Sequence, residues 1–288
     1  MGDRQKILVL GANGMLGNAV YRTFASSPGY EVIGTVRSAT SKIALPDSAS
    51  GKLLAGVDVE HVDSLVAAFE MVQPDIVVNC IGLVKQIVTA NDPLMTLPIN
   101  AILPHRLARL ASLINARLIH VSTDCVFTGR KGKYMETDVP DAQDLYGRSK
   151  LLGEVDYSHA VTLRTSIIGT ELGSAHGLVG WFLAQTGAVK GFTKAVFSGL
   201  PTAELAQIMR DHVIPNRDLR GVWHVSAEPI AKFDLLQLVA AEYGKDIEIL
   251  ADGELMIDRS LDSSRFREAT GWTPPSWPQL IAQMRQFG

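Results

Sequence analysis

Three features are scarce or missing in this sequence of 288 residues, and each argues against a class of protein. Only two cysteines occur, Cys80 and Cys125, with no flanking histidine cluster, which argues against a disulfide framework and a cysteine metal site. Lysine and arginine number 27 against 30 aspartates and glutamates, so net charge gives no reason to expect nucleic acid or an anionic membrane as a partner. No segment is apolar over the length needed to span a bilayer.

The first six residues contain no apolar signal core and lead directly into an apolar run. We therefore expect a cytoplasmic protein whose two thiols stay reduced. Apolar residues make up 47% of the chain, which is enough for a sizeable core. The length allows either one large α/β domain or a nucleotide-binding domain with a smaller appendage.

A glycine motif follows the first apolar run. The run ends at Gly11, and Gly14 and Gly17 follow at three-residue intervals as a helical pattern begins. This pattern predicts the strand, tight turn and helix of a dinucleotide-binding unit, in which the helix N-terminus faces the phosphates. The predicted cofactor contacts of this motif are Gly11, Asn13, Gly14, Met15, Leu16 and Gly17.

A tyrosine and a lysine stand four residues apart, at Tyr146 and Lys150. If the segment is a helix, this spacing puts the phenol and the ammonium on the same face. Tyrosine has an ordinary pKa of about 10 and gives up its proton reluctantly at neutral pH. Because a neighbouring cation stabilises the tyrosinate, the pair is a candidate general acid.

Apolar runs and helical patterns alternate through the first two-thirds of the chain. The predicted strands are 7–10, 31–36, 76–81, 117–122 and 160–164, with a shorter one near 53–57, and the predicted helices are 15–25, 62–72, 100–114 and 146–155. This alternation predicts an α/β fold with a Rossmann-type, doubly wound parallel sheet. After residue 166 the rhythm breaks, so we divide the chain into a nucleotide-binding domain, 1–166, and a mainly substrate-binding subdomain, 167–288, from which some segments return.

Together these motifs resemble the extended short-chain dehydrogenase/reductase family. Within it, they are similar to the dTDP-4-dehydrorhamnose reductases and their relatives that act on nucleotide-linked 4-keto sugars. The resemblance runs from Lys6 to about Trp277. It rests on the glycine motif and on the ordered segments 79–82, 100–104, 121–127, 132–138, 146–150, 163–166 and 261–266.

The resemblance implies a catalytic trio. A reduced nicotinamide delivers a hydride to a sugar carbonyl in this family, and Tyr146 is implied to supply the proton. Lys150 is implied to hold the nicotinamide ribose and to stabilise the tyrosinate. Thr123, at the end of its strand, is implied to polarise the carbonyl oxygen by a hydrogen bond.

Further cofactor contacts follow from the same resemblance. Cys80, Ile81 and Gly82 are implied to pass beneath the ribose and phosphates of the cofactor. Asn100 either orders the backbone or a water near Lys150 or caps a helix.

The choice of cofactor depends on the end of the second strand. That end, Arg37-Ser38, lacks the acid that binds the adenosine 2′-hydroxyl in NAD-selective sites, and Lys42 follows it. Arg37 and Ser38 either grip a 2′-phosphate, which a guanidinium matches in geometry, or form an ordinary surface loop. We expect NADPH, with NADH also possible. Asp58 and Val59, at the next strand end, are expected to flank the adenine.

The expected substrate is a dTDP- or UDP-linked 4-keto-6-deoxyhexose. Asp124 follows Thr123 and either positions substrate hydroxyls or caps the next element, and Cys125 replaces a tyrosine expected in this family, which alters the pocket wall. The other predicted substrate contacts are Arg164, Ser166 and Arg259. Some of these reductases bind magnesium through acids at a dimer interface, but Asn18 stands where such an acid is expected. We predict no metal, and either a monomer or a homodimer.

Two other functions are compatible with the same fold. One is a nucleotide-sugar epimerase or dehydratase, although a dehydratase commonly has an Asp-Glu pair where Asp124 is followed by Cys125. The other is a non-catalytic, NADP-binding regulatory subunit that resembles the methionine adenosyltransferase β subunit. Such subunits tend to lose catalytic residues, whereas all members of the catalytic trio are present here.

Overall fold

The computed structural model describes residues 4–41, 51–85, 91–172 and 177–288. The strands are β1 (Gln5–Leu10), β2 (Tyr30–Val36), β3 (Lys52–Ala55), β4 (Ile76–Asn79), β5 (Arg117–Thr123), β6 (Ala160–Thr165), β7 (Ile167–Ile168), β8 (Val189–Phe192), β9 (Ala195–Phe197), β10 (Leu200–Pro201), β11 (Gly221–His224), β12 (Ile230–Ala231), β13 (Ile249–Asp252) and β14 (Ile257–Asp258).

The helices are α1 (Met15–Ala25), α2 (Val62–Val72), α3 (Pro93–Thr96), α4 (Leu103–Leu113), α5 (Leu145–Leu152), α6 (Leu178–Ala184), α7 (Thr202–Ile208), α8 (Lys232–Tyr243), α9 (Ser264–Thr270) and α10 (Trp277–Phe287). A π-helical segment, Leu97–Ile102, joins α3 to α4, and a second one, Met209–Val213, extends α7. A single 3₁₀ turn, Asp124–Val126, follows β5. None of the helices among the described residues has the length and apolar character required to cross a membrane.

Seven parallel strands form the central sheet, in the order β3-β2-β1-β4-β5-β6-β11. The order reverses between β1 and β4, and ligands of such sheets bind outside the carboxyl ends of the strands at this reversal. The predicted fold class, a Rossmann-type doubly wound sheet, is therefore confirmed.

Strand β1 shows why both faces of the sheet are covered. Ile7 and Val9 belong to one buried apolar cluster, whereas Leu8 and Leu10 belong to another. Because neighbouring residues of a strand point to opposite faces, these two clusters lie on the two sides of the sheet. A continuous apolar run is thus what a doubly covered parallel strand requires.

The part of the chain after residue 166 contributes both to small separate sheets and to the central sheet. Three small sheets, β7–β10, β8–β13 and β12–β9–β14, form there. Strand β11, however, extends the central sheet beside β6, and α7 packs against α1. Segments of the predicted substrate-binding half therefore return to the nucleotide-binding half, and the division at residue 166 stays a prediction.

The predicted elements match closely where periodicity is strong and less well elsewhere. Helices predicted at 15–25 and 62–72 have those bounds. The helix predicted from residue 100 starts earlier, at Pro93, because Asp92 caps it and its π-helical segment breaks the regular period. The helix predicted at 146–155 ends at Leu152, because the chain turns at Gly153.

Candidate active site

The glycine motif forms a tight turn at the end of β1. Gly11 has φ +80°, a conformation that side chains with a Cβ rarely adopt. A Cβ on Gly17 would lie 2.0 Å from the carbonyl oxygen of Gly11, so only glycine lets α1 approach the turn this closely. The backbone nitrogen of Gly14 donates to the same oxygen at 2.9 Å.

The N-terminus of α1 is open. No side chain caps it, and its first turn contains no acidic residue. Such a terminus presents free backbone N–H groups and a positive dipole end, which suits a phosphate. Of the predicted contacts here, Leu16 is buried, Met15 is half-buried, and Asn13 is exposed with its amide 3.5 Å from Ser41 Oγ.

The loop after β4 borders the glycine turn. The side chain of Ile81 lies against Gly11, and a Cβ on that glycine would come within 2.8 Å of Ile81 Cγ1. A Cβ on Gly82 would lie 3.4 Å from Asn100 Oδ1 and 3.8 Å from Lys150 Nζ. This loop therefore connects the glycine turn with the predicted catalytic lysine. Cys80, which begins the loop, is half-buried, and burial raises the pKa of its thiol to about 12.

Asn100 holds this loop in place. Its Oδ1 accepts from the backbone N–H of Leu83 at 2.9 Å, and its Nδ2 donates to the carbonyl oxygen of Leu83 at 3.1 Å. The residue lies inside the π-helical segment, so the alternative that it caps a helix is wrong. The irregular turn directs the amide sideways to the loop, as π-helical segments often do at functional sites.

The end of β2 lies beside the glycine turn, where the Ala12 N–H donates to the carbonyl oxygen of Thr35 at 3.0 Å, and β3 is the next strand along the sheet. Arg37 and Ser38 are exposed, and Ser38 Oγ lies 2.8 Å from Thr40 Oγ1. Lys42 lies outside the described residues. Asp58 and Val59 are half-buried; the Asp58 backbone N–H donates to Ser64 Oγ and its carboxylate accepts from the N–H of Glu60.

The catalytic trio is assembled by β5 and α5. Thr123 is the last residue of β5, and its hydroxyl lies near the phenol of Tyr146, whose pKa it lowers against the larger effect of burial. The ammonium of Lys150 is buried and donates to the carbonyl oxygen of Val121 at 2.7 Å. The structure therefore brings together all three residues that the sequence singled out.

Burial shifts the acidity of both ionisable members of the trio. Burial, with the neighbouring Cys125 and Asp124, raises the pKa of Tyr146, which keeps the phenol protonated. Burial lowers the pKa of Lys150 to about 8, against the opposing effect of the Glu154 carboxylate. A protonated phenol is the form that a proton donor requires.

Helix α5 carries two glycines that allow its close packing. A Cβ on Gly147 would lie 2.3 Å from the carbonyl oxygen of Cys125, and one on Gly153 would lie 2.0 Å from that of Asn100. Gly147 thus lets α5 approach the 3₁₀ turn that follows Thr123, and Gly153, just after the helix, lets the chain approach the π-helical segment. Asp144 caps the helix by accepting from the N–H of Gly147 at 2.7 Å. Sequence reasoning missed these residues, although an Asp directly before a helical pattern is a capping signal.

Three residues predicted to touch the substrate surround the trio. Asp124 is buried and accepts from Thr123 Oγ1 at 3.2 Å; burial raises the pKa of its carboxyl and Arg259 opposes that shift. Cys125 is half-buried, and burial raises the pKa of its thiol to about 12. Arg259 donates through Nε to the carbonyl oxygen of Phe127 at 2.9 Å.

Arg164 was predicted to contact the substrate, but its side chain points into the protein interior. Its side chain is 6% exposed, and its Nε and Nη2 each donate to the Glu154 carboxylate at 2.7 Å. Its Nη1 lies 3.2 Å from His224 Nε2 on β11. A buried guanidinium needs such partners, and this need directs the side chain inward. Ser166 is half-buried between β6 and β7, where its carbonyl oxygen accepts from the N–H of Leu200 at 2.8 Å.

The doubly wound sheet, the glycine turn and the Thr-Tyr-Lys trio are the architecture of the extended short-chain dehydrogenase/reductases. The chain belongs to the family described as the RmlD substrate binding domain, whose model matches residues 5–284. A dTDP-4-dehydrorhamnose reductase of Aggregatibacter actinomycetemcomitans is 25% identical to it over 309 residues, 98% of this chain and 99% of that protein.

Two further similarities differ in kind. A crystal structure of dTDP-4-dehydrorhamnose reductase from Bacillus anthracis in complex with NADP has a TM-score of 0.80 to this chain and is 18% identical in sequence. The match covers 99% of this chain and 100% of that one. The methionine adenosyltransferase 2 subunit beta of Rattus norvegicus is 33% identical over 150 residues. That match covers 52% of this chain and 42% of the subunit, so the chain spans less than half the length of that relative.

Proposed function

We propose that the protein is an NADPH-dependent reductase of the 4-keto group of a nucleotide-activated 6-deoxyhexose, acting in the synthesis of surface polysaccharide precursors. The observation that carries the proposal is the placement of Lys150: its buried ammonium donates to the Val121 carbonyl oxygen at 2.7 Å, two residues before Thr123 on β5 and one helical turn from Tyr146 on α5. Membership of the RmlD family and a full-length relative named as a dTDP-4-dehydrorhamnose reductase support the substrate class.

The described residues fit a dinucleotide. The glycine turn has no room for a side chain at Gly17, and the uncapped start of α1 adjoins it. Gly11, Gly14 and Met15 would hold the pyrophosphate, and the loop from Cys80 to Gly82 would lie under the ribose. When bound, NADPH supplies the hydride that the reduction needs.

The trio then has separate tasks. Thr123 donates a hydrogen bond to the substrate carbonyl oxygen and so favours negative charge on it. Tyr146 gives its phenolic proton to that oxygen as the charge develops. Lys150 holds the ribose hydroxyls and stabilises the tyrosinate, because an adjacent cation lowers the cost of the anion. Asp124 and Arg259 position the sugar and the nucleotide diphosphate.

The reductase activity is tested by NADPH consumption with a panel of dTDP- and UDP-linked 4-keto-6-deoxy sugars, generated in situ by dehydratases. We expect oxidation of NADPH with at least one member, which also identifies the nucleotide. Dehydratase mixtures without this protein provide the control. Tight NADPH binding with no oxidation across the panel would contradict the proposal.

Arg37 carries the proposed preference for NADPH. We expect Arg37→Ala to weaken NADPH binding about tenfold and NADH binding less than about twofold, because only NADPH has a 2′-phosphate for the guanidinium. Fluorescence titrations with both cofactors measure the two changes. Lys52→Ala serves as the matched control, since its exposed ammonium pairs with Glu31 on the neighbouring strand. Equal losses for both cofactors in Arg37→Ala would rule out the phosphate contact.

A non-catalytic regulatory subunit is the second candidate. It is favoured by the 33% identity to a methionine adenosyltransferase subunit. The intact trio argues against it, because a binding subunit has no need of a proton donor. The sugar panel separates the two, since a regulatory subunit would bind NADPH without oxidising it.

A further inference from the structure

A buried carboxylate lies behind the catalytic lysine. Glu154 follows α5 directly after the turn at Gly153, and its side chain is 6% exposed. Its Oε1 accepts from Ser122 Oγ and from Arg164 Nε, both at 2.7 Å, and its Oε2 accepts from Arg164 Nη2 at 2.7 Å. Both carboxylate oxygens are therefore fixed by hydrogen bonds to the ends of β5 and β6.

Ser122, which Glu154 binds, lies between two residues of the catalytic site. Val121 supplies the carbonyl oxygen that holds Lys150 Nζ at 2.7 Å, and Thr123 lies near the phenol of Tyr146. Glu154 thus connects the end of α5 to residues 121–123 of β5, the segment that holds Lys150 and lies beside Tyr146.

We infer that Glu154 is a positioning residue of the proposed reductase: its hydrogen bonds fix the end of α5 in register with the end of β5, and its carboxylate supplies the negative charge behind the Lys150 ammonium. The inference rests on the proposed function only in taking Lys150 as a working cation. It assigns the Glu154–Arg164 ion pair a part in the chemistry as well as in the packing.

The groups that face Lys150 support this assignment. Glu154 is the charged group whose field raises the pKa of Lys150 against burial. His120, on β5, has its own pKa lowered by burial, by Lys150 and by His105, so it stays neutral and adds no competing positive charge. The ammonium donates to the Val121 carbonyl oxygen, and an added Cβ on Gly82 would lie 3.8 Å from it. Arg164, which binds both oxygens of Glu154, is the other charged member of this cluster. A desolvated ammonium with few polar partners depends strongly on one nearby carboxylate.

The test is the pH dependence of kcat/KM in Glu154→Gln. The amide oxygen can still accept from Ser122 Oγ and Arg164 Nε, but the charge and the acceptor for Arg164 Nη2 are removed. Lys150 has a pKa of about 8, so activity that needs its cation falls as pH rises through that value. Without the carboxylate the fall begins at lower pH. We expect the basic limb of kcat/KM to move down by about one unit, which lowers kcat/KM about fivefold at pH 8 and less than twofold at pH 6.5.

Glu136→Gln is the matched control. The Glu136 carboxylate accepts from the backbone N–H of His224 at 2.9 Å, at the far end of the same network. Its loss changes the network without removing the charge beside Lys150, so the basic limb should stay in place. A pH-independent loss in Glu154→Gln, with an unmoved limb, would show a purely structural role and overturn the inference.

A second variant and a second readout keep the outcome decisive. If Glu154→Gln does not fold, Glu154→Asp is the alternative, because its shorter side chain keeps a carboxylate for Arg164 but moves the charge away from Lys150. We expect a smaller downward shift of the basic limb of kcat/KM in this variant. An unmoved limb would refute the inference. NADPH binding, followed by fluorescence across the same pH range, should show the same shift. A shift in binding without turnover of any sugar would refute the reductase proposal and leave this inference standing.

Discussion

Replacement of Tyr146 by phenylalanine is expected to lower kcat about 10³-fold, within the range that general acid catalysis contributes. The variant loses the phenolic proton and keeps the ring, so α5 should pack as before. Because burial raises the pKa of this phenol, the proton donor stays protonated across the neutral pH range. NADPH affinity should change less than about twofold, because Lys150 and the glycine turn are untouched. Steady-state kinetics and a fluorescence titration measure the two effects separately.

Tyr157→Phe provides the comparison for the loss of a phenol outside the trio. The Tyr157 hydroxyl lies 3.1 Å from His105 Nδ1 and takes no part in the catalytic cluster. Its variant should keep kcat within about threefold of the parent, because it changes one hydrogen bond outside the site. Turnover by Tyr146→Phe at the level of Tyr157→Phe would exclude Tyr146 as the proton donor.

Local sequence signals predicted the glycine turn and the helix that carries Tyr146 and Lys150. The glycine motif at Gly11–Gly17 specifies its own turn, because backbone conformation and close packing leave no alternative residue. The spacing of Tyr146 and Lys150 specifies a common helical face in the same way. Such features depend on neighbours within about twenty residues, so they are visible in the chain itself.

The missed features depend on contacts between distant segments. Arg164 was expected in the cleft, but Glu154 and His224 turn it inward, and their pairing is set only when β5, β6 and β11 are adjacent. The irregular turn around Asn100 has the same origin, because its amide binds the loop at Leu83. No propensity or period records such partners, so hydrogen-bonding needs in the buried interior decide these side chains.

Gly17→Ala is the second substitution with a large expected effect. Alanine normally stabilises a helix relative to glycine by about 1 kcal/mol. Here the added Cβ would lie 2.0 Å from the Gly11 carbonyl oxygen and 2.7 Å from its carbon, and both are backbone atoms that cannot rotate away. Overpacking of this kind costs about 3 kcal/mol, which exceeds the gain in propensity. The net cost is about 2 kcal/mol, so we expect Tm to fall by about 4–8 °C, and NADPH affinity to fall at least about tenfold as the turn is displaced.

Gly29→Ala is the control that separates a general effect of removing glycine from the clash at the turn. Gly29 has no atom within 4 Å of an added Cβ and precedes β2 outside the site, so its Tm and NADPH affinity should stay close to those of the parent. If Gly17→Ala behaves like Gly29→Ala in both measurements, α1 does not need its close approach to the turn. If Tm falls without any loss of NADPH affinity, the turn supports the fold but is not the phosphate site, and the cofactor placement proposed for Gly11, Gly14 and Met15 is wrong.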